Sequence, residues 1–158
     1  TMQNAGHFCH LMETEKADAC FIDEGAMGAG VIDRCKQLGY EVIAVNFGSK
    51  ATDEKKYFNK GAEMWAAMLD WLKAGGCIPN NPELRDDLTG RQYGYDAKGR
   101  LQLESKEDMK SRGLSSPDNA DSLCLTFAQP VNKISRDRGH LQLQDQDSGK
   151  SFDPFDYI

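Results

Sequence analysis

The segment Phe21-Ile22-Asp23-Glu24-Gly25-Ala26-Met27-Gly28-Ala29-Gly30-Val31-Ile32-Asp33-Arg34 places the tightest constraint on what this chain can become. A short apolar run reads as a buried strand, and it ends in two carboxylates. Glycines follow at once, and the chain then takes up helical periodicity. Strand, glycine turn and helix in that order are the opening of a βαβ unit, which points to the α/β class. In an open α/β sheet, ligands bind in the crevice outside the carboxyl ends of the strands, so Asp23 stands where a ligand is expected. A second acid converging on Asp23 would create a site for a divalent metal ion.

The rest of the chain supports this layout. Residues 2–16 are expected to be helical, with Phe8, Leu11 and Met12 on the apolar face. Residues 19–23 are the strand, and 30–38 a helix closed by Gly39. Residues 41–47 form a second strand, rich in the β-branched Val42, Ile43 and Val45. The order α, β, α, β with short connections implies parallel strands and a right-handed crossover.

A polar loop covers 48–59. Residues 61–73 then form a helix whose Met64, Trp65, Met68, Leu69, Trp71 and Leu72 make a wide apolar stripe, read as a core face. Asn81 opens a short helix over 82–88. Residues 92–96 and 100–104, joined through Ala97-Lys98-Gly99, read as a β-hairpin. Residues 106–112 form a short charged helix ended by Gly113, and Ser116-Pro117-Asp118 starts the last helix. Two regions follow: a domain over 1–129, and a polar tail over 130–158 expected to be flexible, with aromatics at 152–158 able to dock.

Composition sets outer limits. A chain of 158 residues is long enough for one core but not two. A net charge of −6 gives no global basic character, although local Lys and Arg patches can coexist with an acidic metal site. No apolar stretch approaches a membrane span and no signal peptide is visible, so a soluble, cytoplasmic protein is expected. The five cysteines form no CxxC pair, and their odd number argues for buried, reduced thiols. His7 and His10 lack a third ligand and read as helix-surface residues.

The second acid comes from the last helix. Asp118 and Asp121 are three apart and share one face. On a purely structural reading, Ser116 caps the helix, Asp118 complements its dipole and Asp121 is solvated. Yet Asp121 sits between Ala120 and the apolar run 123–127, so its carboxylate is expected to look toward the protein; if the helix packs near the C-terminal end of the first strand, Asp23 and Asp121 meet. Clustered carboxylates repel and need a compensating cation, and hard oxygen ligands select Mg²⁺ or Mn²⁺. Two such ions about 3.5–4 Å apart activate a water and stabilise the leaving oxygen in phosphodiester hydrolysis.

Taken together, FIDEGAMGAGVIDRCKQLGYEVIAVNFG, YFNKGAEMWAAMLDWL, GRLQLESKEDMKSRG and SPDNADSLCLTFA, in this order from Thr1 to Ala128, resemble the C-terminal nuclease domain of phage large terminase subunits. The resemblance implies a ribonuclease-H-like mixed sheet flanked by helices, with an inserted β-hairpin. It implies a two-metal endonuclease that cuts concatemeric double-stranded viral DNA during packaging in the host cytoplasm. The terminase ATPase domain, the small terminase subunit and the portal are the partners it suggests. On the matching positions, Asp23 and Asp121 are the catalytic, metal-holding acids, and Asp118 assists the metals. Lys60 is the candidate phosphate contact, while Lys98, Arg100 and Lys106, with Lys110 and Arg112, are candidates for a basic DNA-binding surface by the hairpin.

The chain departs from the family pattern in two places. Gly61 stands where relatives usually have a basic residue. Relatives also carry a first catalytic Asp on a strand that, with two antiparallel neighbours, would precede Thr1. Weak or absent nuclease activity of the chain alone, and pairing of two copies through an exposed sheet edge, are therefore expected. Two rival readings remain. One is a noncatalytic remnant or interaction module of the packaging machinery. The other is a nucleotide-binding α/β domain, disfavoured because the glycines follow GxxGxG, Asp23 would repel a pyrophosphate, and no GxxxxGK[ST] motif is present.

Overall fold

The computed structural model describes residues 2–25 and 28–132. The tail expected beyond 130 lies, from 133 onward, outside the described residues. Helix α1 (Met2–Thr14) leads to strand β1 (Phe21–Asp23), helix α2 (Gly28–Gln37) and strand β2 (Ile43–Val45). Helices α3 (Lys60–Lys73) and α4 (Pro82–Gly90) follow. The hairpin β3 (Tyr93–Tyr95) and β4 (Leu101–Leu103), helix α5 (Lys106–Ser111) and helix α6 (Asp118–Leu125) complete the order.

Strands β1 and β2 pair in parallel, with Phe21 opposite Ile43 and Asp23 opposite Val45. Side chains alternate between the faces of a strand. Ile22 packs with Ala5, Cys9 and Cys35 beneath α1 and α2. Phe21, Ile43 and Val45 pack on the other side, against Met64, Trp65 and Met68 of α3 and Ala120 and Cys124 of α6. The short parallel sheet is thus sandwiched between helices, and the larger core lies on the α3–α6 side.

Helix α1 presents a different stripe from the expected one. Ala5 and Cys9 are buried and Phe8 packs beside them, whereas Leu11 is exposed. Small residues at the contact let α1 approach α2 closely, and the Sγ atoms of Cys9 and Cys35 lie 3.6 Å apart. Burial and the hydrogen bond with Cys9 push the Cys35 thiol up to about 11. The cysteines are not uniformly buried: Cys20 is half-buried and Cys77 exposed. The helix also ends earlier than expected, where Lys16 takes a left-handed φ of 49°.

Two glycines explain local sequence choices. A Cβ on Gly28 would overlap the carbonyl oxygen of Asp23, so the first residue of α2 must be glycine for the helix to start this close to β1. A Cβ on buried Gly61 would lie 3.0 Å from the Phe47 ring and 3.3 Å from its carbonyl oxygen. That crowding disfavours a long basic side chain at position 61, beside Lys60.

Candidate functional site

Asp121 is buried, with 8% of its surface exposed, and it is the buried charged residue among those described. A carboxylate in that setting needs partners, and it has three. Its Oδ1 accepts from the indole Nε1 of Trp65 at 3.1 Å and from Nη1 of Arg91 at 3.2 Å. Its Oδ2 lies 2.8 Å from Nζ of Lys106. The partners come from α3, from the residue that ends α4, and from the first residue of α5, so one carboxylate ties three segments to α6.

Arg91 is fixed as firmly as the acid it serves. Its Nε donates to the carbonyl of Glu104 at 3.1 Å, and its guanidinium lies 5.3 Å from the centre of the Trp65 ring. The planar group thus stacks and donates at once, which an ammonium cannot do. Only 10% of the Arg91 side chain is exposed, against 42% for Lys106. The ion pair therefore has a buried side and a solvent side. Next to it, burial and the charge of Asp121 push the Cys124 thiol up.

The start of α6 is held from outside the helix. Pro117 occupies the cap position without a side-chain hydrogen bond. Oδ2 of Asp87, on α4, accepts from the amides of Asn119 at 2.9 Å and Ala120 at 3.4 Å. Asp87 thus replaces the cap expected from Ser116, and an acid suits the positive end of the helix. Asp118 lies exposed in the first turn, and its carbonyl accepts from Ser122 Oγ.

Asp23 ends β1 and is exposed. Two residues beyond Phe21 on an alternating strand, it lies on the face that packs toward α6, and its register partner Val45 belongs to the core that contains Ala120 and Cys124. Helix α6 runs beside β1. One oxygen of Asp23 accepts from the amide of Gly25 at 2.9 Å. That amide, which an anion-binding glycine turn would offer to a phosphate, is already used by the carboxylate.

Asp23 and Asp121 are hard oxygen donors of the kind that divalent ions take, and both oxygens of Asp121 are already engaged, by Trp65 and Arg91 on one side and Lys106 on the other. No group of three or more His, Cys, Asp or Glu side chains suited to hold a metal ion occurs among the described residues.

The expected DNA contacts are placed in different ways. Lys60 is 17% exposed, and its Nζ contacts Glu63 at 2.7 Å and Thr52 at 3.2 Å. Glu63 also accepts from the amides of Thr52 and Asp53, each at 3.0 Å, and so pins the 48–59 loop to α3. Arg100 pairs with Asp96 at 2.7 Å and lies over Phe58. Arg112 pairs with Glu104. Lys98 and Lys110 are exposed. Lys106 faces Asp121 rather than joining these two.

Sequence reasoning missed Arg91 and Asp87, which sit in no motif. Trp65 belongs to the core stripe read from the sequence, and its ring is there, but a buried indole N–H calls for an acceptor. That requirement was the available signal for a polar partner.

The described residues form an α/β architecture, a two-stranded parallel sheet layered between helices with a separate two-stranded hairpin. More specifically, the chain shares the fold of the nuclease domains of phage large terminase subunits. The nuclease domain of the large terminase subunit gp2 of bacterial virus Sf6 matches with a TM-score of 0.69 and 21% identity, covering 82% of this chain and 73% of that one. A point mutant of that domain with manganese matches with a TM-score of 0.66 and 21% identity, over 82% and 74% of the two chains. A point mutant with calcium matches with a TM-score of 0.66 and 22% identity, over 82% and 73%. No family model and no curated protein matches the sequence. No helix among the described residues is long and apolar enough to cross a membrane.

Proposed function

We propose that this chain is the metal-dependent endonuclease domain of a DNA-packaging terminase, acting on double-stranded viral DNA, with residues 1–129 forming the nuclease unit. The observation that carries this reading is the buried Asp121 carboxylate on α6, beside the strand that ends in Asp23, in a fold shared with terminase nuclease domains. Asp23 and Asp121 are the residues that would hold Mg²⁺ or Mn²⁺, with Asp118 at the exposed rim. Divalent ions bound there supply an activated water and neutralise the leaving oxygen.

The chain's own residues do the positioning. Arg91 and Trp65 fix Oδ1 of Asp121 from the buried side, and Asp87 fixes the start of its helix. Lys106 balances Oδ2 from the solvent side, with 42% of its side chain exposed. Lys98 and Lys110 are the exposed cations available for phosphates, while the half-buried pairing of Lys60 with Glu63 and of Arg100 with Asp96 favours a structural role for both. The ATPase domain, the small terminase subunit, the portal and a second copy of the chain remain the partners of this reading.

A second reading, a noncatalytic module of the packaging machinery, is favoured by the ion pairing of both Asp121 oxygens. Mn²⁺ titration followed by paramagnetic broadening of backbone amide signals separates the two. The nuclease reading expects selective broadening near residues 23–25 and 121–122, lost in Asp121→Asn. Because weak or absent activity is expected of the chain alone, only residual Mn²⁺-dependent nicking of supercoiled plasmid is expected, and Asp23→Asn should lower it further. Broadening that ignores both carboxylates overturns it in favour of the noncatalytic module.

A further inference from the structure

Tyr93 and Tyr95 are 66% and 68% exposed, a costly placement for two large rings on one short strand. Residues i and i+2 of a strand share a face. Here the two rings meet edge to face, with centroids 6.3 Å apart and planes at 84°. Their cross-strand partners Leu103 and Leu101 lie on the same side. With Trp65 and Leu69 of α3 opposite, these residues wall a groove of about 310 Å³.

The groove is continuous with the candidate centre through one residue. Trp65 lines it, and the N–H of the same indole donates to Asp121. Its charge is mixed: Lys73 and Asp70 both line the wall, and Lys98 lies in the hairpin turn just past Tyr95. A surface built to track duplex phosphates needs a run of cations, and Asp70 opposes one. Aromatic rings with a few cations instead suit the faces of unpaired bases, which a duplex keeps hidden in its stack.

Resting on the nuclease reading, we propose that the groove between α3 and the β3–β4 hairpin binds unpaired nucleotides of the DNA strand, with Tyr93 and Tyr95 as the stacking surface. The edge-to-face corner takes the face of one base against one ring and its rim against the other. Lys73 and Lys98 attract the flanking phosphates. A frayed or freshly cut strand end beside Asp121 supplies such bases.

The test is fluorescence anisotropy of a labelled oligothymidine and of a blunt duplex of equal length, both in EDTA so that nothing is cut. The chain is expected to bind oligothymidine. Tyr93→Ala/Tyr95→Ala should weaken that binding about tenfold, the scale of one lost base stack. Tyr93→Phe/Tyr95→Phe should retain it, and duplex affinity should stay unchanged in both variants. Both tyrosines are exposed, so the double variant should fold; the single Tyr93→Ala variant, expected to show a smaller loss, carries the test if it does not.

Equal oligothymidine binding by the wild-type chain and the alanine variants, or none by the wild type, overturns the proposal. So does self-association that the double variant abolishes while oligonucleotide binding stays constant, which would assign the face to a second copy. A normal Mn²⁺ response at Asp121 with no oligothymidine binding removes only the groove proposal. Loss of the Mn²⁺ response with oligothymidine binding intact removes only the nuclease reading.

Discussion

Nζ of Lys106 lies 2.8 Å from Oδ2 of Asp121, so a half-exposed cation closes the solvent side of an acid whose other oxygen the core already holds. The two sides of this carboxylate are therefore unequal, and substitutions on them should behave differently.

On the solvent side, Lys106→Met removes the cation that competes with a bound metal ion. Mn²⁺ binding measured by calorimetry should become tighter by about three- to tenfold, or ~0.7–1.4 kcal/mol. Thermal stability should hold within a few degrees, because a partly solvated pair contributes at most about 1 kcal/mol. Unchanged or weaker Mn²⁺ binding would count against metal occupancy at Asp121.

On the buried side, Arg91→Ala leaves Asp121 short of its enclosed partner. Urea unfolding should show a loss of about 3 kcal/mol, near the low end for breaking a buried pair because Lys106 remains. Arg91→Lys should recover little of it. An ammonium cannot stack on Trp65 and reach both Glu104 and Asp121.

The two candidate caps of α6 can be told apart by a pair of alanine substitutions. Asp87→Ala should cost about 1 kcal/mol, the ordinary value of a lost helix cap. Ser116→Ala should leave the melting temperature unchanged. Equal effects would show that α6 is not held by α4 through this carboxylate.

Glu63 gives a pH dependence. Burial alone would raise its pKa, but the hydrogen bonds from Lys60 and from the Thr52 and Asp53 amides override it and hold the group at about 2, below the ordinary 4.5. Because the folded value is depressed, its stabilisation is complete above pH 4.5 and disappears as pH falls toward 2. Wild-type stability should thus drop across that window. Glu63→Gln should be less stable at pH 7 and show a shallower drop, as followed by urea unfolding at a series of pH values. Parallel pH profiles for the two proteins would rule out the pairing.

Much of the fold was legible because its signals are local. Asn81 capping α4, the glycine after α2, the hairpin around Ala97-Lys98-Gly99 and the parallel pairing implied by the α, β, α, β order all rest on neighbouring residues. The strands are shorter than expected, three residues each, although Cys20 and Glu24 beside Phe21–Asp23 still hydrogen-bond to Ile43 and Val45. Part of the apolar pattern also went unused by the core. Leu11, Leu69 and Trp71 are exposed, since periodicity marks a stripe but not its width.

Local residue order is enough to join β1 to α2 through a glycine turn, to end a strand at Asp23, and to set Asp121 among apolar neighbours on the last helix. Which groups meet Asp121 depends on how the helices pack. Trp65, Arg91 and Lys106 stand 56, 30 and 15 positions away along the chain, so no spacing rule links them to it. A buried charge cannot remain unpaired, and that requirement selects the partners only once packing has brought α3, α4, α5 and α6 together.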